Sequence, residues 1–379
     1  MTPRAVFRTS ALSAIAAVTL FAGAAVPALA TPGQPAADAD AAPDLTVTNG
    51  NDSGAGSLRA ALEQANADPD ETTIGFAPAV TTVSLDTPLR STGALSILGA
   101  GVTLRASDDW HIIADEPGGP PAPDVLLHAE RSSLTVSGIT LDAAQTAMAA
   151  LYADATGEQD TITVRESTLR NPSDLALIVS DASGQITVQN SRIEQENPDN
   201  RAVGIHAMSS AGAGFLIADT SVSGFGHGAA EFVEWYRPDD ATAQIRFERA
   251  SLTGNGNASE ENWTAAGGIS LSQPSNVPVD PRLVVVDSTL SENVGRYAGG
   301  IAVSAASWGS APGARVVEIS GSTFSHNTST ADPGNPWMPS ADDLMEMPLP
   351  SRAAAAAAPS PAPEHPFLAD LAAEGHLEL

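Results

Sequence analysis

One pattern recurs along this chain and constrains its fold more than any other feature. It runs apolar, any, apolar, any, any, small, any, apolar, so that seven residues separate its first and last apolar positions. It occurs at Leu95/Ile97/Ala100/Val102, Leu134/Val136/Ile139/Leu141, Ile162/Val164/Ser167/Leu169 and Ile186/Val188/Ser191/Ile193. It recurs at Phe215/Ile217/Thr220/Val222, Ile245/Phe247/Ala250/Leu252, Leu283/Val285/Ser288/Leu290 and Val317/Ile319/Ser322/Phe324. Alternation with period two marks a strand with one buried face. A unit of two or three short strands cannot close a core alone, so the units must stack and shield one another. The fold class expected is all-β, a right-handed parallel β-helix with a short N-terminal capping helix. An antiparallel sandwich would not require the constant internal spacing.

Most copies are preceded by a second strand start. Gly204-Ile205, Gly267-Gly268-Ile269 and Gly299-Gly300-Ile301 each open a short apolar run, and Leu151, Leu177 and Phe232 are placed as equivalents. Asn255, Asn293 and Asn327 each follow the last apolar position by three residues. There they suit tight left-handed corners and can bond to one another up the stack.

Five segments follow along the chain. Residues 1–30 read as a cleaved secretory signal: Arg4 and Arg8, an apolar run from Ala11 to Ala25, and Ala28-Leu29-Ala30 as the cleavage site. Residues 31–44 form a Pro/Ala/Asp linker, and 45–94 an N-terminal cap with Ser57 as N-cap of a helix over Leu58 to Ala67. On that helix Leu58, Ala61, Leu62 and Ala65 share a face, and Arg59 stands four residues before Glu63. Residues 95–330 carry the coils, and 331–379 form an acidic Pro/Ala-rich tail without repeat.

Charge and missing residue types remove several function classes. The 379 residues hold 17 basic side chains, all arginine, against 45 acidic ones, for a net charge of −28. Such a surface opposes nucleic acid and anionic lipid. With no cysteine, disulfides and thiolate chemistry are impossible. No later segment has the length and apolarity of a membrane span.

The block Leu45–Ala67, which contains Asn51-Asp52-Ser53-Gly54-Ala55-Gly56-Ser57-Leu58-Arg59, resembles the N-terminal block of bacterial secreted right-handed parallel β-helix repeat proteins. Thr73-Ile74-Gly75-Phe76 resembles the strand that follows it there. The Gly-Gly-Ile starts and Phe324-Ser325-His326-Asn327 are similar to the repeats of polymorphic outer-membrane proteins. The resemblance spans about residues 45–330 and implies an exported, often surface-associated β-helix, with no particular reaction.

The densest chemistry lies in Phe225 to Asp240, FGHGAAEFVEWYRPDD. If Ile205 points inward, alternation turns His206 outward, with Tyr152 and Asp154 on the same face two coils earlier. Tyr152, Asp154, His206, Trp235, Tyr236 and Arg237 are therefore the candidate ligand-binding residues. The main reading is a non-catalytic exported protein that binds a glycan or another surface in adhesion or scaffolding. The alternative is a polysaccharide lyase or glycoside hydrolase acting on acidic polysaccharide through His206, His227, Glu231, Glu234 and Arg237. Gly226-His227-Gly228 matches one of the four motifs of polygalacturonase-like enzymes, and the other three have no counterpart, so the match is read as chance. No metal site or cofactor is read, with calcium left open. The expected localisation is secreted or extracellular.

Overall fold

In the computed structural model, the described residues are 42–112, 123–154, 157–197, 200–208, 214–233, 244–258, 264–273, 283–305, 317–331 and 342–348. Among them every strand pairing is parallel, and partners come from successive repeats. Ile162, Ile186 and Phe215 lie in consecutive register on neighbouring strands. Each repeat winds through three strand-bearing faces. The seven-residue pattern supplies the first and second faces, which form one seventeen-stranded sheet because Leu95–Ala106 and Leu134–Asp142 run continuously around the corner between them. The third face is a nine-stranded sheet built from Leu89–Ser91, Val125–Glu130, Ala149–Asp154, Leu175–Ser180, Val203–Met208, Gly228–Val233, Ile269–Gln273, Ile301–Ala305 and Leu344–Pro348. This is a right-handed parallel β-helix, the hand that parallel crossovers adopt almost without exception.

The small position of the pattern has a specific task. The residue before it takes a left-handed backbone in nearly every coil, with φ of 52° at Glu166, 49° at Asn190 and 50° at Asp219. The hydroxyl that follows then accepts a backbone N–H from the coil before. Ser167 Oγ accepts from Ile139 at 3.2 Å, Ser191 Oγ from Ser167 at 3.2 Å and Thr220 Oγ1 from Ser191 at 3.3 Å. Buried backbone donors at the corner are thereby satisfied. The asparagine ladder does the same at the next corner: Asn255 Nδ2 donates to Asn293 Oδ1 at 3.0 Å, and Asn293 Nδ2 to Asn327 Oδ1 at 3.1 Å. The left-handed residues there are Gly254, Glu292 and His326, each one position before the asparagine. The asparagines therefore bond to one another up the stack as expected, while the left-handed turn falls on the residue before each of them.

Two registers differ from expectation. In the first repeat Val102 pairs with Ile139 and Leu104 with Leu141, so Leu104 ends that copy. The insertion Gly99-Ala100-Gly101, with Gly101 at φ 84°, bulges out between the two faces. On the third face Ile205 pairs with Ala230 rather than Phe232. Phe232 lies one inward position further on, where its ring meets Phe215 edge-on at 5.2 Å and Phe247 at 6.3 Å. The small Ala230 leaves the room that Phe232 fills.

At the N-terminal end, Leu45–Val47 and Thr72–Phe76 are already in register with the stack. Helix α1, Leu58–Asn66, has Ser57 as its N-cap and buries Leu58, Ala61, Leu62 and Ala65. Arg59 does not turn to Glu63. It reaches Asp52 at 2.6 Å and the carbonyls of Thr87 and Pro88 at 2.9 and 2.8 Å, tying the helix to the next turn. Within the segment expected as a structureless tail, Leu344–Pro348 adds a further strand to the third face. Residues 1–41 and 349–379, which include the signal and most of that tail, lie outside the described residues. Among the described residues no helix is long and apolar enough to cross a membrane.

Candidate functional site

Alternation along the third face produces two outward columns. One runs Arg90, His128, Tyr152, Ile178, His206, Glu231 in register from strand to strand. The other runs Glu130, Asp154, Ser180, Met208. Tyr152 and His206 thus occupy one column, two strands apart, with Asp154 beside Tyr152. Glu234, Trp235, Tyr236 and Arg237 lie outside the described residues, so the dense segment contributes only its first half here.

The polar groups of these columns pair along the stack. The His128 and Tyr152 rings stack in parallel with centroids 4.7 Å apart. His128 Nε2 stands 3.3 Å from Asp154 Oδ2, within ion-pair range but without hydrogen-bond alignment. The Tyr152 hydroxyl and Ser180 Oγ share a 2.9 Å hydrogen bond. His206 Nδ1 lies 3.0 Å from Glu231 Oε2, and an ionised carboxylate there makes Nδ1 the donor. That fixes the tautomer and leaves Nε2 as the acceptor nitrogen. His206 Nε2, His128 Nδ1 and Asp154 Oδ1 are buried and have no hydrogen-bond partner. Arg90 and Glu130 form an ion pair at the head of the columns.

The carboxylates are unequal. Asp181 directly follows Ser180, the strand partner of Asp154, and is exposed. Burial of its carboxyl group, then the nearby Asp154 charge, raises its pKa above the usual carboxylate value. Burial first, then the Asp154, Asp181 and Glu130 charges, pushes the Tyr152 hydroxyl well above the ordinary phenol range, against the Ser180 hydrogen bond. A turn carboxyl group that holds its proton above the usual range, close to a second carboxyl group on the neighbouring strand, is placed to act as an acid. Glu231 and Asp154 are three strands apart, about 14 Å at the usual strand spacing. That exceeds the separation at which two carboxylates share one glycosidic bond.

His227 takes no place in these columns. It is buried in the turn before Gly228–Val233, where its N–H donates to Ala202 O at 3.1 Å. Its glycine neighbours are packing residues: a Cβ at Gly226 would lie 1.8 Å from Asn200 O, and one at Gly228 would lie 2.9 Å from Ala266 O. The Gly-His-Gly tripeptide therefore has a structural cause. Among the described residues no group of three histidine or acidic side chains is placed to hold a metal ion.

Sequence reasoning missed His128, Glu130, Ser180 and Asp181. Their signal was the register Leu127, Leu151, Leu177 on the third face, which aligns Glu130 with Asp154 once those inward residues are matched.

No family model matches the chain, and no curated protein matches it either. Among solved structures it is similar to the polygalacturonase from Erwinia carotovora ssp. carotovora, at 11% identity and a TM-score of 0.39 over 77% of this chain and 97% of that one. It is also similar to the catalytic domain of a GH87 alpha-1,3-glucanase in complex with tetrasaccharides. There the identity is 10% and the TM-score 0.34, over 79% of this chain and 68% of that one. The fold assignment rests on the strand register itself, which makes the chain a parallel β-helix protein.

Proposed function

We propose that this chain is an exported glycoside hydrolase of the parallel β-helix class, acting on an uncharged or basic glycan along the outward columns of its third face. The observation that carries the reading is Asp181, in the turn directly after the strand Leu175–Ser180, whose carboxyl group is held above the usual carboxylate pKa by burial and then by the Asp154 charge on the neighbouring strand. Asp181 would donate a proton to the departing sugar oxygen, and Asp154 would serve the reacting carbon directly or through water. His206, held by Glu231 and only 1% exposed, would brace the column from beneath without touching the sugar. Export follows from the signal-like first thirty residues and from the resemblance to secreted β-helix repeat proteins.

The face opposes an acidic substrate, the class first expected. Glu130, Asp154, Asp181 and Glu231 stand on or beside it against two arginines, Arg90, already paired with Glu130, and Arg131. A polyuronate would meet net repulsion there.

The test is release of reducing ends by the secreted protein from glucans, mannans and chitosan, with polygalacturonate and alginate as acidic controls. Turnover of a neutral or basic polymer, lowered about 100-fold or more by Asp181→Asn, is expected. Turnover confined to the uronates, or turnover indifferent to Asp181, would overturn the proposal.

A second reading is a non-catalytic glycan binder, but Tyr152 and His206 are only 2% and 1% exposed, which takes these two side chains out of contact with a polymer. That reading predicts saturable binding to the same polymers with no bond cleavage.

A further inference from the structure

A cleft opens around the corner from these columns, on the N-terminal part of the stack. Its volume is about 490 Å³, within the range of small-ligand sites. Four successive turns line it: the C-terminal end of α1, the turn before Leu95, the turn before Leu134 and the residue before Thr161. The polar side chains are Asn66, Asp68, Thr92, Arg131, Ser132, Ser133 and Asp160.

Three features separate this cleft from an ordinary gap between turns. Ser132 is 5% exposed and its hydroxyl has no hydrogen-bond partner. Arg131, held in a left-handed corner at φ 51° and anchored by its N–H to Asp154 O at 3.0 Å, is exposed, and among the described residues no ion pair or hydrogen bond engages its guanidinium. Asp160, by contrast, is fixed: it accepts from Gly157 N at 2.6 Å and from Ser133 Oγ at 3.4 Å. The cleft therefore offers one free fork of donors, fixed acceptors, and an unanswered hydroxyl in its wall.

We infer that this cleft is a separate binding site for a neutral sugar, one or two residues long. Asp68 and Asp160 outweigh the single charge of Arg131, which disfavours phosphate and uronate. A purely cationic ligand would leave the Arg131 fork of donors unanswered. Vicinal hydroxyl groups satisfy both sets, donating to the carboxylates and accepting from the guanidinium. The inference does not require that the third face cleave anything.

Calorimetric titration of the full chain with cellobiose, maltose and laminaribiose tests it, with digalacturonate and chitobiose as controls and thermal melting to verify folding. At least one neutral disaccharide should bind in the millimolar range, and Arg131→Ala should weaken it about tenfold, the loss of one good charge-assisted contact. Asp181→Asn should leave that affinity unchanged. Failure of all three neutral sugars to bind overturns the inference, as does full affinity in a folded Arg131→Ala. Binding lost in Asp181→Asn and retained in Arg131→Ala would put the sugar on the third face, defeating the cleft while leaving the hydrolase reading standing.

Discussion

The inward and outward sides of the third face come from the same strands, residue by residue, yet they differ in how polar groups are treated. Inside and at the corners the described polar groups are largely answered. The serine and threonine hydroxyls close onto backbone N–H groups one coil away, and Asn255, Asn293 and Asn327 bond in series. Outside, His206 Nε2, His128 Nδ1 and Asp154 Oδ1 are buried without partners, and two carboxyl groups crowd each other. Leaving such groups unmatched costs stability. A molecule that concentrates most of this cost on one side of a sheet marks that side as a candidate to meet a ligand.

The largest break in this comparison should come from the inside. Phe232→Ala removes a fully buried ring from between Phe215 and Phe247. It should destabilise by about 3–5 kcal/mol in denaturant unfolding. Asn293→Ala should follow at roughly 2–3 kcal/mol, because it cuts the ladder at its middle. Asn255 Nδ2 then loses Asn293 Oδ1, and Leu252 O loses its side-chain donor. A loss below about 0.5 kcal/mol would mean that the ladder does not hold the corner.

The outward column should respond with the opposite sign. Asp181 has a folded pKa above its unfolded one, so the folded protein holds that proton longer and the ionised group opposes folding. The penalty is present above the folded pKa and vanishes as pH falls toward the unfolded value near 3.9. Asp181→Asn should therefore stabilise the protein at pH near 7, by less than about 1 kcal/mol because the group is screened by solvent. It should change nothing near pH 3. Destabilisation near pH 7 would show that the Asp154/Asp181 repulsion is absent.

This contrast also explains how much could be read from the sequence. The inward pattern is local and repeats, so the stack, the capping helix and the small position were legible in it, while the hydroxyl's bond to the next coil was not. Val102 was misplaced because a two-glycine bulge preserves the apolar spacing while shifting the register. Phe232 was misplaced because size outweighed alternation, and Ala230 gave no hydrophobic signal. The outward columns were half legible. Tyr152, Asp154 and His206 follow from alternation within single strands. Glu130, Asp181 and His128 join them only when strands 24 to 26 residues apart are aligned, and such alignment crosses corners whose length varies. The aromatic segment after Phe232 drew attention through composition, which says nothing about which strands lie side by side.

Everything proposed for the third face depends on Glu130 and Asp154 standing on adjacent strands in register. The chain has no cysteine of its own, so a pair introduced as Glu130→Cys with Asp154→Cys reports that geometry cleanly. Neighbouring strands lie about 4.8 Å apart, inside the Cα range of an unstrained disulfide. Mild oxidation should close this pair in the folded protein and leave Glu130→Cys with Ser180→Cys, two strands apart, as free thiols. Closure of the second pair in preference to the first would contradict the stacking on which the site is built.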